Sequence, residues 1–496
     1  MRPFHPSRVS RCSLAVASLT VGIVLGTPLA ALADWGQFQG SGSHDGISDG
    51  PSAPLTVAWT NEDIELEATD IAVGLSSPVI SEDGTIVVVS PTGVLGFDSG
   101  DGSEVFSADR DLGPTSQPAI GMGADGPIVV FTEGSGDGGP ASVGSATPSP
   151  SPAEQETDVF DSHVNAVDLE SGKPVWASPV QLEDIVQTPV AMDETAAYIG
   201  DAGGRVTVVE LASGDVRWAA DLETPISGAV TLDAGRALVT TLGGREEPSE
   251  IVALDIEEGE ELWRASAEEA SNLVTAPVVA DGRILTLDAF GGVLAFDAED
   301  GRFLWRTEVV NPLAPRQPFL LRELGAPAPV SSDGQVFAVD VTGRVYAFDA
   351  QTGVPLWDHA LNAVSQSSPP LLTADHILVP TDAGTLYAVD RRSGNLVWRV
   401  DGRKVLLRGL ADAGDLIVGV SGADDAGLVA FETDGAARLL DEPSPTVLDI
   451  GGMLTGYVLG GLLVGLVAIV VARPLQRRLG PALASGTGSG NGEDAG

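Results

Sequence analysis

Cysteine is all but missing from this chain: Cys12 is the one copy in 496 residues. It precedes the apolar core of a leader segment, so the chain beyond the leader has no disulfide, no thiol nucleophile and no cysteine-based zinc site. Lysine is nearly as scarce, at Lys173 and Lys404, although arginine is common. Against 70 acidic residues stand 26 basic ones, a formal charge of -44. Nucleic-acid binding needs basic side chains on the phosphates, so this balance excludes that partner. It also keeps the globular part off anionic lipid. The acidic surplus serves solubility or a salty exterior, or it presents a cation-recruiting surface. Beyond the leader, His44, His163, His359 and His376 lack metal-ligand spacing. No Gly-x-Ser-x-Gly elbow, P-loop or His-Glu-x-x-His occurs. Carboxylates are too abundant for any pair to be singled out as a glycosidase acid and nucleophile. These absences leave no catalytic, cofactor or metal residue to assign.

Two apolar segments set the expected address. Arg2, Arg8 and Arg11 lead into an apolar stretch from about Leu14 to Gly26, then Pro28 and Ala31-Leu32-Ala33. That order predicts a signal peptide over 1–33, cleaved before Asp34, with an uncleaved anchor as the alternative. Residues 450–472 carry no charge and have the length of a membrane-spanning helix. Arg473, Arg477 and Arg478 follow them, so the positive-inside rule predicts a single-pass plasma-membrane protein. Residues 34–446 then lie outside, and 473–496 form a short cytoplasmic tail. Gly452, Gly456 and Gly460 recur every fourth residue and offer a seam for homodimerisation.

What the chain does have is a repeat. An acidic residue is followed eight positions later by an aromatic one at Asp98/Phe106, Asp168/Trp176, Glu210/Trp218, Asp255/Trp263, Asp297/Trp305, Asp349/Trp357 and Asp390/Trp398. A degenerate eighth copy lies near Glu432. From Trp176 onward the tryptophans are 41 to 52 residues apart, the period of a four-stranded propeller blade. One blade reads over 327–357. A short inner strand ends near Val330, Asp333-Gly334 turns, and Gln335 to Val339 is a second strand. Thr342-Gly343 turns again, Val345 to Phe348 is a third strand, and Leu356-Trp357 lies on a fourth. The aspartate caps the turn it begins, glycine four residues on supplies positive φ, and the tryptophan donor seeks a carbonyl on the next blade. Eight blade starts occur, at Ser77, Gln117, Thr188, Gly228, Ala276, Ala326, Ser368 and Gly409. The last blade lacks a tryptophan, whereas Trp59 precedes the first. An N-terminal strand bearing Trp59 would complete the last blade and remove the open sheet edge. The expected fold is all-β: an eight-bladed propeller of four-stranded antiparallel blades, seven being the alternative, plus one C-terminal transmembrane α-helix.

The Ala-x-Asp-x-x-x-Gly-x-x-x-Trp copies, with the lead-in Trp35-Gly36-Gln37-Phe38-Gln39-Gly40, resemble the pyrroloquinoline-quinone (PQQ) repeat family over about residues 35 to 440. The resemblance implies tryptophan docking by Trp59, Trp176, Trp218, Trp263, Trp305, Trp357 and Trp398. Its catalytic members are alcohol dehydrogenases with quinone and calcium in the central funnel, many with adjacent bridged cysteines. Those cysteines are absent here, and no residue set matches the calcium ligands or catalytic aspartate. The chain looks more like the non-catalytic branch, which includes the outer-membrane assembly propeller. It departs from that propeller by lacking a lipidated N-terminal cysteine and by having a C-terminal helix.

Loops between second and third strands share one face with the blade-to-blade connections. The long insertions fall there, among them 134–157, expected to be disordered, 243–250, 309–325 and 403–409. Arg316, Phe319 and Arg322, with Arg403, Lys404 and Arg408, combine arginine and apolar residues as interface hot spots do. They are the candidate surface for a protein partner, the bland alternative being a loop packed on the ring. Asp201, Asp288, Asp340 and Asp382 recur where the second turn opens; they close those turns or form a carboxylate ring for a cation. The expectation is an anchored, non-catalytic scaffold of the cell envelope. The alternatives are a quinoprotein dehydrogenase and a ligand sensor.

Overall fold

A computed structural model describes residues 35–439 except 63, 65–74, 112–115, 135–161, 187, 244–247, 267–272, 274, 289–290, 309–327, 341, 362, 364, 366–367, 402–406, 422–426 and 438. The expected signal peptide, transmembrane helix and tail, and the insertion 135–157, lie outside the described residues. Among the described residues no helix is long and apolar enough to cross a membrane.

Among the described residues, thirty-two strands form eight four-stranded antiparallel sheets. Blades 1 to 7 span 79–109, 119–182, 191–221, 231–266, 278–308, 330–360 and 371–401, each built from four consecutive strands, A to D. Blade 6 has strands Val330–Ser332, Gln335–Val339, Arg344–Asp349 and Pro355–Ala360, close to the sequence reading. Strands A of successive blades meet around the axis, and that of blade 8 reaches that of blade 1. Eight blades are present, not seven.

The eighth blade is built from both ends of the described chain. Leu55–Asn61 pairs antiparallel with Gly427–Thr433, from Leu55 opposite Thr433 to Asn61 opposite Leu428. The degenerate copy expected near Glu432 therefore makes no C-to-D hairpin, although Asp434 and Gly435 after it do turn. Glu432 sits in the ladder opposite Thr56, because strand D arrives from the N-terminus and leaves no C-to-D hairpin there.

Strands B and C are buried on both faces, as in Gln335–Val339 and Arg344–Asp349, because each blade is sandwiched between two others. The apolar clusters accordingly lie between blades. One joins Phe337 and Val345 to Ile377 and Tyr387 across blades 6 and 7; another joins Val87 and Phe106 to Val129 and Phe131 across blades 1 and 2. Burying each such large side chain contributes about 1.5–3 kcal/mol. Strand D is partly exposed, as Val216, Leu262 and Leu356 show.

Docking between blades repeats one geometry. The C-to-D ladder shifts register beside the tryptophan: Ala347 faces Trp357, but Phe348 faces Pro355. This bulge lays the ring sideways, over a small residue, toward the next blade. Nε1 donates to a turn carbonyl there: Trp59 to Ser99 at 3.0 Å, Trp176 to Leu211 at 3.0 Å, Trp218 to Ile256 at 3.0 Å, and Trp263 to Glu299 at 3.1 Å. Trp305 reaches Ala350 and Trp357 reaches Arg391, both at 3.1 Å. The motif glycine has two roles. Gly353 has φ +70°, and a Cβ there would lie 2.5 Å from the Trp305 ring. Trp398 departs from the pattern. It is buried in a cluster shared by blades 7, 8 and 1, while Gly435, after the last strand, faces open space. Blade 8 has no C-to-D hairpin, and its Gly435 lies in a turn capped by Asp434, whose Oδ1 accepts from Ala436 N at 2.9 Å and Ala437 N at 3.0 Å.

Candidate functional site

The ring has two faces. One carries the A-to-B and C-to-D turns; the other carries the B-to-C turns and the connections between blades. On the axis, toward the A-to-B end of the innermost strands, lies the segment 35–50. It visits the blades in order. Ile80 N donates to Trp35 O at 2.9 Å, and Ile120 N to Gly36 O at 2.7 Å. The Gln37 side chain clasps Met192 through N–H and carbonyl at 3.0 and 3.1 Å. Leu232 N, Val279 N and Ser331 N donate to Gly42 O, Ser43 O and Asp45 O at 2.8, 2.9 and 3.3 Å. Leu372 N donates to Gly46 O at 2.9 Å, and Ser48 Oγ to Asp412 Oδ2 in blade 8 at 2.7 Å. Its backbone carbonyls accept from the inner strands of blades 1, 2, 4, 5, 6 and 7, which would otherwise leave those N–H groups unpaired, and its side chains reach blades 3 and 8. In the sequence, Trp35 to Gly40 stand out only as a lead-in to the repeats.

His44 sits in this axial segment, fully buried and edge-on to Phe38 at 5.1 Å between ring centroids. Thr231 Oγ1 donates to Pro277 O at 2.6 Å and lies 3.0 Å from His44 Nδ1. The imidazole therefore carries its proton on Nδ1. Burial lowers its pKa to about 3, opposed by the Pro277 carbonyl. His359 and His376 are also lowered, again chiefly by burial. Among the described residues, no three His, Cys, Asp or Glu side chains converge as metal ligands.

The repeated aspartates chiefly close their own turns. Asp201 Oδ1 accepts from Gly203 N and Arg205 N, both at 2.9 Å. Asp288 Oδ1 accepts from Gly292 N at 2.8 Å, and Asp340 Oδ1 from Thr342 N at 2.8 Å. Their second oxygens differ. Arg306 Nε donates to Asp288 Oδ2 at 2.8 Å, and the Tyr346 hydroxyl to Asp340 Oδ2 at 2.9 Å. Asp201 Oδ2 is buried without a partner. Asp382 is buried as well.

Arg316, Phe319, Arg322, Arg403 and Lys404 lie outside the described residues. Arg408 is expected in the connection into blade 8. Its backbone instead belongs to strand Leu407–Asp412, opposite Val420. The strand starts before Gly409 because its early residues pair with Ser421 and Val420.

A profile of the PQQ_2 family, described as outer membrane protein assembly factor BamB, matches residues 161–312, 247–401 and 289–441, together more than half of the chain. The chain belongs to the PQQ_2 family. This PQQ_2 propeller is similar to outer membrane protein assembly factor BamB of Yersinia pestis, 27% identical over 330 residues, 63% of this chain and 71% of that protein. It is similar to BamB of Burkholderia pseudomallei at 26% over 292 residues, 55% of this chain and 72% of that one. Among solved structures, BamB from Moraxella catarrhalis matches 78% of this chain and 100% of that chain, with TM-score 0.55 and 17% identity. A europium-containing methanol dehydrogenase matches 80% and 98%, with TM-score 0.60 and 12% identity. At such identities the structural likeness speaks for the fold alone.

A quinone in the axial funnel needs a slot for a fused ring system. The space bounded by Trp35, Phe38, Gln39, Ser77, Gln117 and Pro369 is about 10 Å³, room for about one water.

Proposed function

We propose that this chain is an extracytoplasmic, non-catalytic propeller that binds protein partners of the cell envelope and holds them in place. The observation that carries this reading is the axial segment 35–50, bonded to all eight blades. A ring filled in this way offers a rigid platform rather than a reaction chamber, with long loops on one face to recognise a partner. The similarity to outer membrane protein assembly factors supports the same class of role. We assign residues 450–472 as a single plasma-membrane anchor, with the ring outside and the tail in the cytoplasm. Gly452, Gly456 and Gly460 form the seam for a homodimer. Arg316, Phe319, Arg322, Arg403, Lys404 and Arg408 form the partner surface.

The test is crosslinking of the full-length protein in its own envelope, followed by affinity capture and mass spectrometry. One stoichiometric partner is expected, and its yield falls in an Arg316→Glu/Arg322→Glu variant. Quinone-dependent oxidation of an alcohol by the purified protein with added quinone and calcium would overturn the reading.

A further inference from the structure

Both ends of the described ring lie on one face. Strand Gly427–Thr433 of blade 8 runs toward the A-to-B turn of its own blade, since Phe431 pairs with Ile417, the first residue of strand B after that turn. The chain therefore leaves the ring on the face that carries the A-to-B and C-to-D turns. Its exit is fastened there. Asp434 N donates to Pro54 O at 2.9 Å, and Asp434 Oδ1 accepts from Ala436 N and Ala437 N at 2.9 and 3.0 Å. Trp35, the first described residue, stands at the same end, bridged to Ile80 where the innermost strand of blade 1 closes. The connections between blades lie on the opposite face.

The anchor assigned at 450–472 begins a short way beyond the exit. Residues 440–449 separate it from Leu439, the last described residue. Ten residues reach at most about 36 Å when fully extended. A blade stands about 20 Å tall along its strands, six residues at about 3.3 Å each in Thr385–Asp390, before its turns are added. A ring turned over would draw the tether along that whole height and use up most of its reach, at a cost in chain entropy. A ring with its exit face toward the membrane leaves the tether slack. Charge then sets a gap. Asp101, Asp215 and Glu299 are exposed on this face, and an anionic leaflet repels them within a Debye length of about 8 Å.

We propose that the ring stands over the membrane with the face of its A-to-B and C-to-D turns toward the lipid, and with the face of its blade connections pointing away. The inference rests on the reading of 450–472 as an anchor. A partner held by the connection face then approaches from the outer side, at least one blade height above the near face. It does not dock from within the plane of the membrane.

The test is energy transfer from a single labelled position to the lipid surface. The full-length protein carries Cys12→Ser together with one of two substitutions in blade 5. Glu299→Cys lies in the C-to-D turn, and Glu308→Cys at the far end of the outer strand. Both glutamates are exposed, and both substitutions remove the same charge. Each variant is labelled with a donor dye and reconstituted into phosphatidylcholine vesicles that hold acceptor-labelled lipid. Transfer is expected to be several-fold faster from position 299 than from position 308. Equal transfer from both positions would mean that the ring tumbles on its tether, and faster transfer from position 308 that it faces the other way; either result overturns the proposal. Flotation of the vesicles separates the two readings. Protein left behind by floating vesicles removes the anchor, and the facing with it. Floating protein with equal transfer removes the facing alone.

Discussion

His44 makes the axial segment an acid-sensitive part of the ring. Its pKa is about 3 in the folded protein against 6.5 for an unperturbed histidine. A histidine held neutral by burial contributes stability that is complete above the unfolded pKa and is lost as pH falls toward the folded one. Between pH 7 and pH 5 the unfolded chain takes up a proton at this position and the folded ring does not. Integrated over that interval, the loss is about 2 kcal/mol. Seventy acidic residues also titrate as pH falls, so the wild-type curve alone does not isolate it. The perturbation is His44→Asn. Asparagine tolerates the left-handed backbone, φ +59°, and keeps a polar group near Thr231. Urea unfolding of both proteins at pH 7 and pH 5 gives two differences. The substitution is expected to cost stability at pH 7 through its lost ring contacts. The variant's further loss on acidification is expected to be about 2 kcal/mol smaller than that of wild type. Parallel pH dependences in the two proteins would refute the reasoning.

Other substitutions probe the inter-blade contacts and the buried carboxylates. Trp305→Phe removes the donor to Ala350 O and is expected to cost about 1 kcal/mol, read as a lower urea midpoint at unchanged m-value. Gly353→Ala pushes a methyl into the Trp305 ring at positive φ and should cost about 3 kcal/mol. Arg306→Met leaves the fully buried Asp288 side chain without its guanidinium, a loss of about 3 kcal/mol in the same assay. Asp201→Asn should raise the melting temperature at neutral pH. A raised carboxyl pKa gives stability that is present below the unfolded pKa and lost as pH rises through the folded one. The advantage of this variant should therefore shrink on acidification below about pH 4.

The parts of the fold legible in the sequence are those written in side chains at short range. Asp349, Gly353 and Trp357 act within one hairpin and one neighbouring blade, so their spacing carries the geometry. Trp59 is legible for the same reason, as a docking residue without a blade of its own. Glu432 and Trp398 break the pattern because the last blade borrows its outer strand, which removes the hairpin that the repeat assumes. The axial segment is hidden because it accepts through backbone carbonyls of Gly36, Gly42 and Ser43, which leave no residue-specific trace. The unpartnered oxygen of Asp201 is hidden differently. Asp201 looks like Asp288 and Asp340 in sequence, and the distinction rests on Ala219 and Thr207 across the ladder, where Arg306 and Tyr346 stand in the other blades.

The pairing of Leu55–Asn61 with Gly427–Thr433 also sets a timetable. Among the described strands, Leu55–Asn61 has no seat until Gly427–Thr433 exists. The segment 35–50 likewise needs blades that have not yet been made. Completion of the ring thus waits for Gly427–Thr433, with loop-closure entropy opposing it over nearly four hundred residues. Until then the open end of blade 8 and the bare inner edges wait for partners from the same molecule. Any chaperoning the ring needs therefore falls before Leu55–Asn61 pairs with Gly427–Thr433.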